Sequence, residues 1–292
     1  MKGPAAERGL LSFPGTSERE DRVQEFQRPQ LMGIVNVTPD SFSDGGVHFD
    51  RANALAHARR LVEEGADILD IGGESTRPGA DPISIDEECA RVIPVIEGCR
   101  DLGVTLSIDT RKTAVMAAAV AAGATFINDV SALEYDPDSL AFVAGSGLPV
   151  CLMHHIRDPK TMQDNPVYDD VLKEVIAYLE ARIEVCEAAG ISRDLILIDP
   201  GIGFGKTVDH NLTLLRGLAE IRRLGCRVLL GASRKRFIGT ITNEPIAANR
   251  TAGSVAAALY GAAAGADILR VHDVRETRAA IDVWQAIETA SF

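Results

Sequence analysis

Polar and charged residues follow short apolar segments at intervals along this chain, and their types suggest two kinds of chemistry. One set consists of hydrogen-bond acceptors, two carboxylates and one side-chain amide: Asp109, Asn128 and Asp199. A carboxylate can accept two parallel N–H groups, as it does from a guanidinium, so this set suits a flat heterocycle rich in N–H groups. The other set suits an anion, most simply a phosphate, and comprises Arg77, Lys235, Arg270 and His272.

The remaining polar residues include candidate metal ligands and one candidate nucleophile. Asn36 and Asp44 are oxygen donors that could hold Mg²⁺ beside a diphosphate, because Mg²⁺ takes few protein ligands and keeps several waters. The sequence has no His-Glu-x-x-His motif, so a zinc site is not expected. His154 and His155 are adjacent, and adjacent side chains on an extended chain point in opposite directions. Ser233 lacks the Gly-x-Ser-x-Gly context of a serine nucleophile.

Segment 195–206, LILIDPGIGFGK, predicts a buried strand that ends at Asp199 and opens into a glycine-rich turn. Glycine permits positive φ, and Pro200 has no N–H for a ladder. The spacing fits neither the Walker A loop nor the dinucleotide fingerprint. A plain strand-to-helix turn is the alternative interpretation of this segment taken alone.

The apolar segments themselves predict the elements that position these residues. Eight of them are predicted strands, at 31–37, 68–71, 104–108, 125–127, 149–152, 195–198, 227–230 and 268–271. Helical segments follow, among them 51–64, 85–100, a long helix ending at 189, an Ala-rich stretch at 245–264 and a last helix to 288. Eight strand-then-helix units predict a closed (β/α)₈ TIM barrel. A doubly wound open sheet is the alternative, but it would need the missing dinucleotide fingerprint near its first turn.

A barrel would bring the polar residues together, because the C-terminal ends of all its strands face one mouth. We therefore expect the active site at that end. We predict one barrel domain over residues 30–292, after a poorly ordered N-terminal extension at 1–29.

Bulk composition limits the partners. The chain has 292 residues, 46% of them hydrophobic and 25% charged, and a net charge of −12. This charge argues against nucleic acid or an anionic membrane surface as the main partner. No apolar run approaches the length of a membrane span. The five cysteines are scattered, with no Cys-x-x-Cys pair, which indicates reduced thiols in a cytoplasmic protein.

Several segments resemble the dihydropteroate synthases of the pterin-binding enzyme family, in order and over about residues 30–290. The two most specific are GIVNVTPDSFSDGG at 33–46 and DIGGESTRPGA at 70–80. Shorter matches are SIDT at 107–110, INDV at 127–130, the Asp199 turn, SRK at 233–235 and RVHDV at 270–274.

The resemblance implies a reaction and a role for each site residue. Such enzymes join 7,8-dihydropterin-6-ylmethyl diphosphate to 4-aminobenzoate, forming 7,8-dihydropteroate and diphosphate, with Mg²⁺ as cofactor. By resemblance, the pterin would be held by Asp109, Asn128, Met153, Asp199, Phe204 and Lys235. The diphosphate would be held by Thr76, Arg77, Arg270 and His272, with Ser233 also in the substrate site and Asn36 on Mg²⁺. Phe42 and Pro78 would shape the aminobenzoate pocket. Asp109, Lys235 and Arg270 are the expected catalytic residues, and a homodimer is the expected assembly.

Two other functions remain open from the sequence. A pterin-binding methyltransferase domain, which moves a methyl group from methyltetrahydrofolate to a corrinoid, would share the barrel and the pterin pocket. It would not need the anion-binding loop at 75–79 or Mg²⁺. A non-catalytic protein that keeps the fold is the third hypothesis, and the intact set of polar residues counts against it.

Overall fold

The computed structural model of the protein describes residues 28–38, 46–75, 81–156 and 166–290, without the side chains of 46–50, and contains a closed parallel barrel. Each strand pairs with its neighbours in sequence, and β1 closes the barrel against β8. The strands are β1 (Gln30–Asn36), β2 (Ile68–Gly72), β3 (Thr105–Asp109), β4 (Phe126–Asp129), β5 (Val150–Met153), β6 (Ile196–Asp199), β7 (Arg227–Leu230) and β8 (Ile268–Val271). The prediction of a (β/α)₈ TIM barrel is confirmed.

Helices follow the strands and cover the outside of the barrel. They are α1 (Gly46–Glu63), α2 (Ile85–Cys99), α3 (Thr113–Ala122), α4 (Ser139–Ser146), α5 (Val171–Ala188), α6 (Val208–Arg216), α7 (Leu218–Arg222), α8 (Arg236–Thr242), α9 (Thr251–Ala263) and α10 (Val274–Glu288). Ser84, Asp170 and Thr207 begin α2, α5 and α6 by accepting backbone N–H groups of the first turn. No helix in the described ranges is long and apolar enough to cross a bilayer.

Alternation along the strands determines which side chains enter the barrel. One apolar cluster fills its lower interior, and it takes one residue from each strand except β3: Met32, Ile68, Phe126, Cys151, Leu197, Leu229 and Ile268. Successive side chains on a strand face opposite sides, so the residue two positions further on points the same way. That residue is Asp70, Asn128, Asp199 or Arg270 on four of these strands. The polar site therefore lies directly above an apolar plug, at the C-terminal mouth.

Most strands end later than predicted. β7 and β8 have the predicted bounds and β1 is shifted by one residue toward the N-terminus, whereas β2 to β6 each end one or two residues later. In β3, β4 and β6 the prediction stopped before a polar residue. Backbone pairing continues through that residue, as in the pairing of Asp109 with Asn128. These functional side chains consequently stand on the ladder itself and not on a loop.

The Ala-rich stretch predicted as one helix from 245 to 264 is a shorter helix, α9, preceded by a 3₁₀ turn at Ala247–Asn249. The guanidinium of Arg250 donates to the carbonyl oxygens of Arg234, Glu244 and Pro245. These bonds fold the preceding segment around Arg250, so its carbonyls are satisfied without a helix. The predicted helices 85–100 and 51–64 agree with α2 and with most of α1.

Some predicted residues lie outside the described part of the chain. They are Phe42, Asp44, Thr76, Arg77 and Pro78, together with residues 1–27 of the predicted N-terminal extension.

Candidate active site

Asp70 on β2 is the centre of the polar network inside the mouth. Its side chain is completely buried, and its carboxylate accepts three hydrogen bonds. Ser107 Oγ donates to Oδ1 over 2.6 Å, while Asn128 Nδ2 and Arg270 Nε donate to Oδ2 over 3.0 Å and 2.6 Å. A buried carboxylate is stable only when it is paired in this way. Asp70 is not among the site residues predicted from the sequence, although an acid inside an apolar strand is the signal that could have found it.

Arg270 on β8 joins Asp70 to a second carboxylate, that of Asp109. Its Nη2 donates to Asp109 Oδ2 over 2.7 Å, while its Nε is held by Asp70. The two carboxylates therefore fix the plane of the guanidinium at the level of the strand ends. A planar guanidinium held in this way can bind an anion or stack on a flat ring, which an ammonium cannot do equally well.

The pKa of Asp109 is raised to about 7, mainly because burial disfavours its charged form. Arg270 opposes this shift, and the negative charges of Asp70, Glu88 and Asp129 add to it. The cluster thus holds several acids near one guanidinium. Such perturbed groups in a cleft are typical of functional sites.

Asp199 ends β6 and begins the glycine-rich turn. The backbone N–H of Gly201 donates to Asp199 Oδ1 over 2.7 Å, which orients the carboxylate. Burial raises the pKa of Asp199, and the positive charge of Lys235 is the largest opposing cause. Gly201, Gly203 and Gly205 all have positive φ, so the turn needs the conformational freedom of glycine at these positions.

Lys235 follows β7 and reaches the same turn from the other side. Its ammonium donates to the carbonyl oxygen of Ile202 and lies 4.1 Å from the centre of the Phe204 ring. Burial lowers its pKa to about 8, against the attraction of Asp199. Lys235, Phe204 and Asp199 therefore form one wall of the mouth. Met153, which pairs with Asp199 across β5 and β6, is buried beside them.

Ser233 and His272 are joined across the ends of β7 and β8. The Ser233 Oγ and His272 Nδ1 lie 3.0 Å apart, and the His272 backbone N–H donates to the same Oγ over 3.2 Å. Beside them, Arg234 forms a two-pronged ion pair with Asp273, with N–O distances of 3.0 and 2.5 Å. These bonds hold the segment after β7 against the segment after β8.

The root of the loop after β2 is fixed by buried charges. Lys112 Nζ donates to Glu74 Oε2, Glu88 Oε2 and the Ile83 carbonyl oxygen, over 2.6 to 2.7 Å. Glu74 also accepts from the Ile83 backbone N–H and from Arg111 Nε. Glu74 and Ile83, which lie on either side of segment 76–80 in the sequence, are therefore held together by these bonds.

Asn36 ends β1 and pairs with Gly72 of β2 at the same mouth. Asn36 is two residues after Ile34 and four after Met32, so its amide lies on the same inner face as their side chains. Within the described ranges, no group of three His, Cys, Asp or Glu side chains has the arrangement of a metal site. One amide oxygen fits a metal such as Mg²⁺, which takes most of its ligands from phosphate and water.

Known proteins of one family resemble this chain over most of its length. The sequence model of the Pterin binding enzyme family matches residues 32–272. The dihydropteroate synthase of Neisseria meningitidis serogroup C is 54% identical over 267 residues, covering 90% of this chain and 94% of that protein. The Escherichia coli K12 enzyme of the same name is 47% identical, with coverages of 91% and 94%.

Solved structures agree with the sequence relatives. The Xanthomonas albilineans dihydropteroate synthase with 4-aminobenzoic acid superposes with a TM-score of 0.86 at 53% identity, covering 91% of this chain and 95% of that one. The same enzyme in complex with 7,8-dihydropteroate gives a TM-score of 0.83 at 50% identity, with coverages of 91% and 96%. The chain belongs to the pterin-binding enzyme family and, within it, to the dihydropteroate synthases.

Proposed function

We propose that the protein condenses (7,8-dihydropterin-6-yl)methyl diphosphate with 4-aminobenzoate, giving 7,8-dihydropteroate and diphosphate. The observation that carries this proposal is the meeting of two opposite kinds of group in one mouth. Arg270 is held by Asp70 and Asp109 on its acidic side, and His272 follows it two residues later on the same strand end. Acceptors for a heterocycle and cations for an anion are therefore adjacent, as a pterin diphosphate requires.

The pterin binds between Asp109, Asn128 and Asp199 in this proposal. The Asp199 carboxylate accepts two N–H groups of the guanidine-like edge, because a carboxylate matches such a pair of parallel donors. Lys235, Met153 and Phe204 line the pocket, and the Arg270 guanidinium stacks on the ring face.

The diphosphate lies toward Thr76, Arg77, Arg270 and His272. His272 is oriented by Ser233, whose Oγ contacts its Nδ1, and the ring then presents Nε2 to the substrate. Asn36 would hold Mg²⁺ through its amide oxygen, because Mg²⁺ uses few protein ligands. When bound, the ion would neutralise charge on the departing diphosphate.

The chemistry follows from fixed charges and needs no covalent enzyme intermediate. The bond between the pterin methylene carbon and the diphosphate oxygen breaks, and its electron pair leaves with the oxygen. Arg270 and the other cations stabilise that developing negative charge, and preorganised charges in a site sheltered from water act strongly. Asp109 stabilises positive charge at the pterin methylene. The amine of 4-aminobenzoate then attacks the carbon and loses a proton, with Phe42 and Pro78 shaping its pocket.

A homodimer in the cytoplasm completes the proposal. Tyr260 on α9 and Val283 and Ile287 on α10 are large apolar side chains exposed on neighbouring helices, which suits an interface with a second copy. Ile281, on the same helix α10, is completely buried and belongs to the core. All five cysteines are unpaired, which suits a reducing compartment. Light scattering of the purified protein tests the dimer.

Formation of dihydropteroate tests the proposed reaction. The purified protein is incubated with the pterin diphosphate, 4-aminobenzoate and Mg²⁺, and the product is separated and identified by mass. We expect product from the wild type and none above background from Asp199→Ala. Tight pterin binding without product would overturn the proposal, and methyl transfer to a corrinoid would then be the next reaction to assay.

A further inference from the structure

Lys206 is a buried lysine behind the glycine-rich turn for which the reaction described above has no use. It stands one residue before Thr207, which begins α6, and its side chain is only about 5% exposed. Its Nζ donates to the Phe204 carbonyl oxygen over 2.9 Å and lies 3.0 Å from Nδ1 of His154. A Cβ on Gly201 would come within 3.2 Å of the same Nζ. The ammonium is therefore packed against the back of the turn.

Two lysines hold this turn at two carbonyl groups. Lys235 donates to Ile202, on the side that forms the pocket wall, and Lys206 donates to Phe204. The Phe204 ring lies against Lys235, so fixing the Phe204 carbonyl also fixes the ring that lines the pocket. Asn211 and Tyr168 hold the turn at Gly203 and Gly205, but the Phe204 carbonyl oxygen would lose its Lys206 donor without this lysine.

His154 acts as a neutral acceptor in this arrangement. Burial lowers its pKa to about 3, and the positive charge of Lys206 contributes to the shift. Because an ammonium has only donors, Nδ1 must accept and the ring proton lies on Nε2. The His154 ring is itself packed edge-on against Tyr178, with centroids 4.9 Å apart. Lys206 is therefore anchored to a rigid part of the β5 end.

The charge of Lys206 also acts on Asp199. Lys235, Arg270 and Lys206 are the cations that oppose the rise in the pKa of the buried Asp199 carboxylate. Burial lowers the pKa of Lys206 itself to about 7, against the attraction of Asp199. The titratable or charged groups around Lys206 and its turn come from five elements or their flanking segments, β5, α5, β6, α6 and β7: His154, Tyr168, Asp199, His210 and Lys235.

We propose that Lys206 is a positioning residue for the pterin: its bond to the Phe204 carbonyl oxygen holds the Phe204 ring in the pocket wall. This inference rests on the proposed function, because it assumes that Phe204 contacts a pterin. It places a residue with no substrate contact among those that determine pterin affinity.

Lys206→Met tests the proposal, with Lys173→Met as the matched control. Lys173 lies on α5, is exposed and forms only a surface ion pair with Asp170. We measure KM for each substrate, affinity for a dihydropterin without diphosphate, and the denaturant midpoint. Wild-type turnover is established first, so a failure of the reaction itself is recognised separately. We expect KM for the pterin diphosphate and the Kd of the dihydropterin to rise about tenfold or more in Lys206→Met, as for loss of a charged hydrogen bond.

The two KM values separate this role from a general structural one. We expect KM for 4-aminobenzoate to change less than about twofold, because the Phe204 ring lines the pterin pocket. The denaturant midpoint should fall, since the Phe204 carbonyl oxygen and His154 Nδ1 lose their buried donor.

Two results would overturn the proposal: unchanged pterin affinity in Lys206→Met, or an equal rise in both KM values. If Lys206→Met does not fold, Lys206→Leu, which also lacks a donor for the Phe204 carbonyl, is measured in the same way, and an unchanged pterin affinity in that variant would equally contradict the proposal.

Discussion

Arg270 Nε donates to Asp70 Oδ2 over 2.6 Å, from a guanidinium that is 21% exposed to a carboxylate that is fully buried. The two residues are 200 positions apart, on strands β8 and β2, both of which flank β1. Asp70 is thus the support that sets the position of a cation expected to touch the substrate. Positioning by such a support residue can be worth as much to catalysis as a direct contact.

Asp70→Asn should lose both stability and activity. The change leaves the shape intact but removes the charge that pairs with Arg270, and breaking a buried ion pair costs about 3 kcal/mol. We expect the free energy of unfolding to fall by about that amount, and kcat/KM to fall by about 100-fold because Arg270 is no longer held. Denaturant unfolding and steady-state kinetics measure the two effects.

Asp282→Asn is the matched control for this variant. Asp282 pairs with Arg28 at the surface, with both side chains about half exposed, and such pairs are worth less than about 1 kcal/mol. If Asp70→Asn behaved like Asp282→Asn in both measurements, Asp70 would have no supporting role.

The pKa of Asp109 predicts how stability changes with pH. Its pKa is raised from 3.8 in the unfolded chain to about 7 in the folded one. The folded state therefore binds the proton more tightly, which stabilises the protein. This contribution to the free energy of unfolding is complete below the unfolded pKa and is lost as the pH rises through the folded pKa. Asparagine does not titrate, so Asp109→Asn shows no such loss. We expect the stability of Asp109→Asn relative to the wild type to rise across this pH range, by a few kcal/mol at most.

Denaturant unfolding at several pH values measures this difference. If the free energies of unfolding of Asp109→Asn and the wild type changed in parallel with pH, burial would not raise the pKa of the Asp109 carboxyl group. Activity should fall in the same variant, because the positive charge at the pterin methylene would lose its stabilising carboxylate.

Gly201→Ala should disrupt the pterin-side turn. Gly201 has a φ of +67°, and a Cβ there would overlap the carbonyl oxygen of His154. A left-handed non-glycine residue alone costs about 1–2 kcal/mol, and the overlap with backbone adds to this. We expect a loss of more than about 2 kcal/mol in the free energy of unfolding and weakened pterin binding.

Gly145→Ala provides the contrast. Gly145 lies within α4, has no positive φ, and a Cβ there would meet nothing within 4 Å. Alanine is the better helix former, so we expect a gain of about 0.5–1 kcal/mol. The prediction for the turn would be wrong if the two alanine variants had equal stability.

Asp199→Ala should abolish pterin binding without unfolding the protein. The carboxylate is expected to accept two N–H groups, and the loss of such a pair leaves polar groups of the ligand unpaired in the pocket. Calorimetric titration with a dihydropterin measures the effect. Unchanged affinity would place the pterin elsewhere in the mouth.

The sequence predicted the barrel and much of the mouth for one physical reason. Most strands were largely apolar with a polar residue at or near the C-terminal end, and parallel strands of a barrel share one mouth. Asp109, Asn128, Asp199 and Arg270 were found because they stand at those ends, and the structure brings them onto the same inner face.

Asp70 and Lys206 were missed for different reasons. Asp70 stands inside a strand, and its partners Ser107 and Arg270 come from other strands whose register is not visible in the sequence. Lys206 was interpreted as the end of a turn, because nothing local shows that its ammonium folds back onto Phe204 and His154. The cost of an unpaired buried charge is a signal that requires the fold before it can be used.

Release of diphosphate shows whether this mouth joins a pterin diphosphate to an aromatic amine. The purified protein is given the pterin diphosphate and Mg²⁺, with and without 4-aminobenzoate, and both diphosphate and dihydropteroate are quantified. We predict that the two products appear in equal amounts, and that their formation requires 4-aminobenzoate and is abolished by chelation of Mg²⁺. Pterin that binds tightly but releases no diphosphate under these conditions would contradict it.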